Sequence, residues 1–152
     1  MRKKKDIKVL LVDDEIAFVN TLAQRLRLRN LLVDTVYDGE QAVTYIKDIE
    51  PDVIVLDLKM PGLHGIEVLR EIKKIKREIQ VIILTGHGTD RDEEEAKKLG
   101  GFDFLRKPAD IDLLVRKIKE AFSEKVERAM TAIALAEEGV FDEARKIIRK
   151  EE

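Results

Sequence analysis

Five positions carry residue types that could do chemistry together. Asp13 and Asp14 follow the apolar run Val9–Val12, Asp57 follows Val53–Leu56, Thr85 follows Val81–Leu84, and Lys107 lies just past Phe102–Leu105. Adjacent carboxylates repel unless a cation intervenes. A ligand set of oxygens without histidine or cysteine suits a hard ion, and Mg²⁺ takes one or two carboxylates plus waters and phosphate oxygens. An ammonium and a hydroxyl beside such an ion suit phosphoryl transfer to a carboxylate, because they draw charge off the phosphoryl oxygens. The plainer alternative is that strand ends are polar because loops are wet. It accounts for any one of these residues more easily than for all five.

Positioning them requires elements that end at one place. Short β-branched runs at Ile7–Val12, Val33–Val36, Val53–Leu56, Val81–Leu84 and Phe102–Leu105 read as strands. The first, third and fourth are almost unbroken in Val, Ile and Leu, as in strands covered on both faces. Helical spacing separates them: Ile16, Val19, Ala23 and Leu26; Ala42, Val43 and Ile46; Val68, Leu69 and Ile72; then Ile111, Leu114, Val115, Ile118, Ala121 and Phe122. The stretch Thr89–Leu99 is polar, with only Ala96 and Leu99 clearly apolar, and reads as a thinly anchored helix. Five alternations of strand and helix predict an α/β fold, an open parallel sheet wound by helices on both faces. Ligands of such sheets bind beyond the carboxyl ends of the strands, where the five polar residues fall.

The 152 residues suffice for one domain with an appendage. At 44% apolar and 39% charged residues the chain can bury a core, which excludes a disordered tail. A net charge of −2 argues against a general nucleic-acid binder. The absence of cysteine removes disulfides, thiolate metal sites and a cysteine nucleophile, and fits a reducing cytoplasm. The basic run Arg2–Lys5 reads as a solvated terminus, because the apolar stretch after it is too short for a signal peptide or a membrane span.

Val9-Leu10-Leu11-Val12-Asp13-Asp14-Glu15, Val53 through Gly62, Leu84-Thr85-Gly86 and Leu105-Arg106-Lys107-Pro108 together resemble the receiver domain of bacterial two-component response regulators, over about Lys5 to Phe122. The resemblance implies a flavodoxin-like sheet of order 2-1-3-4-5. It implies Asp57 as phosphoacceptor from a histidine kinase or phosphotransfer protein. It also implies Mg²⁺ held by Asp14, Asp57 and the Lys59 carbonyl, with Asp13 acting through water. Thr85 and Lys107 would bind the phosphoryl oxygens beside a small Gly86, Phe104 would be the switch aromatic, and the bond before Pro108 would be cis. Departures are His64-Gly65 where many members have Asp-Gly, Phe104 in place of the common tyrosine, and Lys59 and His87 two residues beyond Asp57 and Thr85. His64 reads as loop surface and His87 as an exposed loop residue.

The stripe of the last helix continues through Val126, Ala129, Met130, Ile133 and Ala134, so one helix is expected from about Asp110 to Glu138. It would be on the order of 40 Å long. Gly139 reads as its C′ stop, followed by a short helix from about Asp142 to Arg149. Leu135 to Ala144 resembles the turn of a tetratricopeptide repeat, so residues 123–152 are expected to fold back as a helical hairpin on the receiver, 1–122. The hairpin either covers its own long helix or makes a homodimer or partner contact. Four functions compete. A phosphorylatable receiver signalling by protein contact, not an enzyme, and either a single-domain regulator or an isolated receiver, fits all five residues. An aspartyl-phosphate phosphatase would want an acid where Lys59 stands. A docking module without phosphorylation leaves the acidic set unexplained. A nucleotide or flavin binder lacks a glycine-rich loop after the first strand.

Overall fold

In the computed structural model, which describes residues 6–151 with side chains to 149, five strands and five helices alternate. The strands are β1 (Lys8–Val12), β2 (Leu32–Val36), β3 (Val53–Leu56), β4 (Gln80–Thr85) and β5 (Asp103–Arg106). The helices are α1 (Ile16–Arg27), α2 (Gly39–Asp48), α3 (Gly65–Ile75), α4 (Asp90–Lys98) and α5 (Ile111–Glu151). All strand pairs are parallel, in the order β2-β1-β3-β4-β5. This is the flavodoxin-like order. The Arg2–Lys5 run lies outside the described residues.

Alternation along the strands divides the core in two. Leu10, Val12, Ile54, Leu56, Val81 and Ile83 face one side and pack under α2, α3 and α4 through Ala42, Ile46, Val68, Leu69, Ile72 and Ala96. Val9, Leu11, Val53, Val55, Ile82 and Leu84 face the other and meet α1 and α5 through Val19, Ala23, Leu26, Leu114, Ile118 and Ala121. Strands loaded on both faces cannot alternate with polar residues, which is why they read as unbroken apolar runs.

Strand bounds differ from the sequence reading by a residue: β1 begins at Lys8, after Ile7, and β2 at Leu32, before Val33. β4 begins a residue early because the Gln80 side chain is buried and donates to the Ala121 carbonyl at 3.0 Å. β5 is displaced by one, with Phe102 left before it and only Phe104 buried, as befits an edge strand. α4 buries little beyond Ala96, and a capping box closes its first turn: Thr89 accepts from the Asp92 N–H at 3.1 Å while Asp92 accepts from the Thr89 N–H at 2.9 Å.

The hairpin expectation is corrected. α5 runs unbroken from Ile111 to Glu151, and Gly139 lies inside it without the positive φ of Gly62 and Gly100. No heavy atom outside its local backbone comes within 4 Å of a Cβ built there, so no second helix packs on it. Glycine inside a helix costs only about 1 kcal/mol relative to alanine. The flanking Ala136, Glu137, Glu138, Glu143 and Ala144 are helix formers or tolerate the helix, and Asp142–Arg145 and Glu143–Lys146 pair one turn apart at 3.6 and 3.4 Å. Nothing packs against Gly139 to favour a turn there over continuation of the helix.

Candidate phosphoacceptor site

The site forms because backbone ladders run past the strand ends. The Asp13 N–H donates to the Val36 carbonyl at 3.2 Å, Asp57 N–H to Val12 at 2.9 Å, and Lys107 N–H to Thr85 at 2.9 Å. Each polar residue thus continues the line of an apolar strand, and β1 and β3 are neighbours in the sheet. Carboxylate oxygens of Asp13, Asp14 and Asp57 all lie within 4.8 Å of one another. Asp13 and Asp57 are buried, whereas Asp14 faces outward. The Lys107 ammonium is 2.7 Å from Asp13 Oδ2, 3.3 Å from Glu15 Oε1 and 3.8 Å from Asp57 Oδ2. It also sits over the Phe18 ring, 4.3 Å from the centroid. The Lys107–Pro108 peptide is cis.

Burial pushes the Asp13 carboxyl above the usual carboxylate range, against the pull of its hydrogen bonds from Lys107 and the Glu15 N–H. Burial works most strongly to lower the Lys107 value, but the hydrogen bond and charge of Asp13, the charge of Asp57 and the Glu15 hydrogen bond together outweigh it and hold the ammonium above the ordinary lysine range. The remaining imbalance is at Asp57: its Oδ1 is buried and has no hydrogen-bond partner. A buried carboxylate oxygen left unpaired is costly. Three clustered carboxylates offering only oxygen fit a hard divalent cation, and one ammonium does not neutralise them.

Thr85 is fully buried, and its Oγ1 accepts from the His87 N–H at 3.3 Å. A Cβ added at Gly86 would meet Lys107 at an ordinary 3.9 Å, so steric need does not explain that glycine. The Lys59 and His87 side chains are exposed. Phe104 is 8% exposed, its ring turned in against the space that Gly88 leaves free. The Arg106 guanidinium lies 5.4 Å from the centre of that ring, and it donates to the Gly88 carbonyl and, at 3.3 Å, to Asp90.

Sequence reasoning missed several supports. Gly65 brings the start of α3 onto the loop after Asp57, where a Cβ would lie 2.4 Å from Leu58 Cα and 2.5 Å from the Asp57 carbonyl. His64 is not idle surface, for its Nδ1 accepts from the Ile66 N–H at 3.2 Å and caps α3. Glu15, Phe18, Gly88 and Arg106 also touch the site residues. Gly65 and Gly88 carried a signal, each being a glycine just before a helix pattern. Phe18 and Arg106 carried none, since their contacts span distant segments.

The model of the response regulator receiver domain matches residues 9–119. The chain belongs to the response regulator receiver family. This receiver is 35% identical over 133 residues to the C4-dicarboxylate transport transcriptional regulatory protein DctD of Pseudomonas aeruginosa. That alignment covers 86% of this chain and 29% of that protein, so the receiver spans less than a third of its relative. A receiver domain protein from Clostridium thermocellum has 36% identity and a TM-score of 0.75, over 78% of this chain and 96% of that one. A CheY-like receiver domain protein from Methanospirillum hungatei superposes with a TM-score of 0.79 at 22% identity, over 82% of this chain and 99% of that one, a likeness of fold. Response regulators are components of two-component systems, and no helix among the described residues is long and apolar enough to cross a membrane.

Proposed function

We propose that this chain is a phosphoacceptor: Asp57 takes a phosphoryl group from the phosphohistidine of a sensor histidine kinase or phosphotransfer protein, and the modified receiver acts by protein–protein contact in the cytoplasm. The observation that carries this reading is the unpartnered, buried Oδ1 of Asp57 among two further carboxylates and an ammonium. An Asp57 carboxylate oxygen would form the bond to phosphorus as the phosphorus–nitrogen bond of the donor breaks. Asp14, Asp57 and the backbone carbonyl of Lys59 would hold Mg²⁺, with Asp13 acting through water. The ion supplies charge neutralisation for the phosphoryl oxygens.

The chain's own groups do the rest. Lys107, already 3.8 Å from Asp57, would shift its ammonium from Asp13 to the phosphoryl group. The Thr85 hydroxyl would turn to the same oxygens, and Gly86 leaves room beside Lys107. Movement of Thr85 and packing of Phe104 would then be coupled, because both border the pocket left by Gly88. Repeated turnover of phosphate esters is not favoured, since the position two beyond the acceptor is Lys59, exposed and unable to protonate a leaving group as an acid would.

We assign 1–122 to the receiver and 123–152 to an extension through which two copies associate. The extension shows Val126, Ile133, Val140 and Ile147 at steps of seven, exposed by 38, 55, 70 and 60%. An isolated helix of this kind is marginal in water without a partner, and these residues supply one of the two apolar positions per heptad that a coiled-coil seam uses.

The test is phosphoryl acceptance. Incubation with Mg²⁺ and a small phosphoryl donor should add one phosphoryl mass to the intact protein, and beryllofluoride should give a saturable spectroscopic change only when Mg²⁺ is present. Asp57→Asn should abolish both. A variant labelled as well as wild type would remove the assignment.

A further inference from the structure

At the end of the sheet opposite the acceptor, the C-terminal turns of α3 and α4 meet the side of α5 around a cavity of about 480 Å³. Its polar lining is Arg70, Lys73, Lys74, Arg77, Lys98 and Arg128, with no carboxylate among the lining residues. Basic residues do belong near helix C-termini, where they complement the dipole. That role would require single charges at two helix ends, not six gathered on one concavity from three helices and the connection after α3.

The local pairing compensates only part of the charge. Arg70 reaches Glu95 at 3.4 Å and also pairs with Glu67; Lys74 reaches Glu71 at 3.5 Å, and Arg128 pairs with Glu124. Lys73 spends its ammonium on the Ile79 and Arg77 carbonyls at 2.7 and 3.4 Å. Arg77 and Lys98 make no ion pair among the described residues. The Lys73 ammonium is held below the ordinary lysine range, first by burial and then by repulsion from Arg128, which Glu124 only partly opposes. The repulsion of Lys73 by Arg128 and Arg77, the part of this effect that burial does not supply, marks a place where an added anion is attracted.

We propose that this cleft binds a polyphosphate group, inorganic or carried by a nucleotide. The volume is that of a small-molecule pocket. Several cations spread over three helices match a chain of linked phosphates better than a single anion. The chain's net charge of −2 argues against a nucleic-acid duplex as the ligand. Because Arg128 lies beyond residue 122, occupancy would tie the extension to the receiver body. The proposal does not depend on the chemistry at Asp57.

Calorimetric titration of the full chain with tripolyphosphate, in EDTA so that no divalent ion serves the acceptor site, tests it. Saturable one-to-one binding is expected, weakened by sodium chloride and tighter than for orthophosphate. The exposed pair Arg77→Ala and Lys98→Ala should lower affinity about tenfold or more, as loss of charged hydrogen bonds does. The charge-preserving pair Arg77→Lys and Lys98→Arg should retain binding, which separates loss of the site from loss of fold. Amide shifts should centre on 73–77 and 98–100. Adenosine diphosphate binding more tightly than pyrophosphate would identify a nucleotide as the ligand, and equal binding would identify the phosphates alone. Absence of saturable binding, indifference to the alanine pair, shifts scattered over the surface, or binding of a DNA duplex but not tripolyphosphate would each overturn the proposal.

Discussion

A methyl group at Gly88 would lie 2.4 Å from Phe104 Cζ and 2.9 Å from Thr85 Cγ2. The absence of a side chain at this residue therefore lets the aromatic ring and the hydroxyl-bearing residue share one pocket. Gly88→Ala should cost about 1–3 kcal/mol through overpacking, seen as a lower urea midpoint. In a Phe104→Ala background the same change should cost markedly less, because the ring it displaces is gone; such non-additivity is the signature of direct contact. Equal costs in both backgrounds would show that the two residues do not compete for space. The pocket also explains why phenylalanine serves at position 104. The ring is buried and its face is covered by Arg106, so a hydroxyl has no role in this arrangement.

At the scale of elements, the outer strand and the helix beside it are joined by a polar contact. The Tyr45 phenol of α2 donates to Asp34 Oδ2 of β2 at 2.5 Å. Burial, then the Asp34 carboxylate, hold the phenol well above its ordinary value of 10.0. A group whose folded value is raised adds stability while it is protonated in both states, and that stability is lost as pH climbs past the unfolded value. Wild type should thus exceed Tyr45→Phe by about 1 kcal/mol at neutral pH. The gap should narrow and close above pH 10, read from denaturant midpoints of the two proteins in parallel. A gap independent of pH would mean that the contact is not made. Strand β2 needs such a tie because it is an edge with Leu32 and Asp34 exposed.

For the molecule as a whole, the decisive feature is a 41-residue helix of which only the first third is needed to cover the sheet. Lys125 fastens the point of departure, reaching the buried Asp52 at 2.8 Å while Asp52 also accepts from the Lys8 N–H at 2.9 Å. Beyond it the apolar face is bare. Ile133→Asp with Val140→Asp should therefore convert a concentration-dependent dimer into a monomer by sedimentation, leaving phosphoryl acceptance at Asp57 intact. A wild-type chain that stays monomeric at high concentration would refute self-association.

The alternation of β-branched runs and helical stripes was enough to determine the sheet, its two covered faces and the five polar residues at the strand ends, because burial on both faces writes a local pattern. The separation of the strand ends in space was not written locally. That Asp13, Asp14 and Asp57 lie within 4.8 Å, that Lys107 bridges three carboxylates, and that six cations from three helices and the connection after α3 line one cleft are consequences of strand order and crossover. The fate of Gly139 was likewise beyond local reading. The same residue can end a helix or continue one at a cost near 1 kcal/mol, and only the absence of anything to pack against decided for continuation.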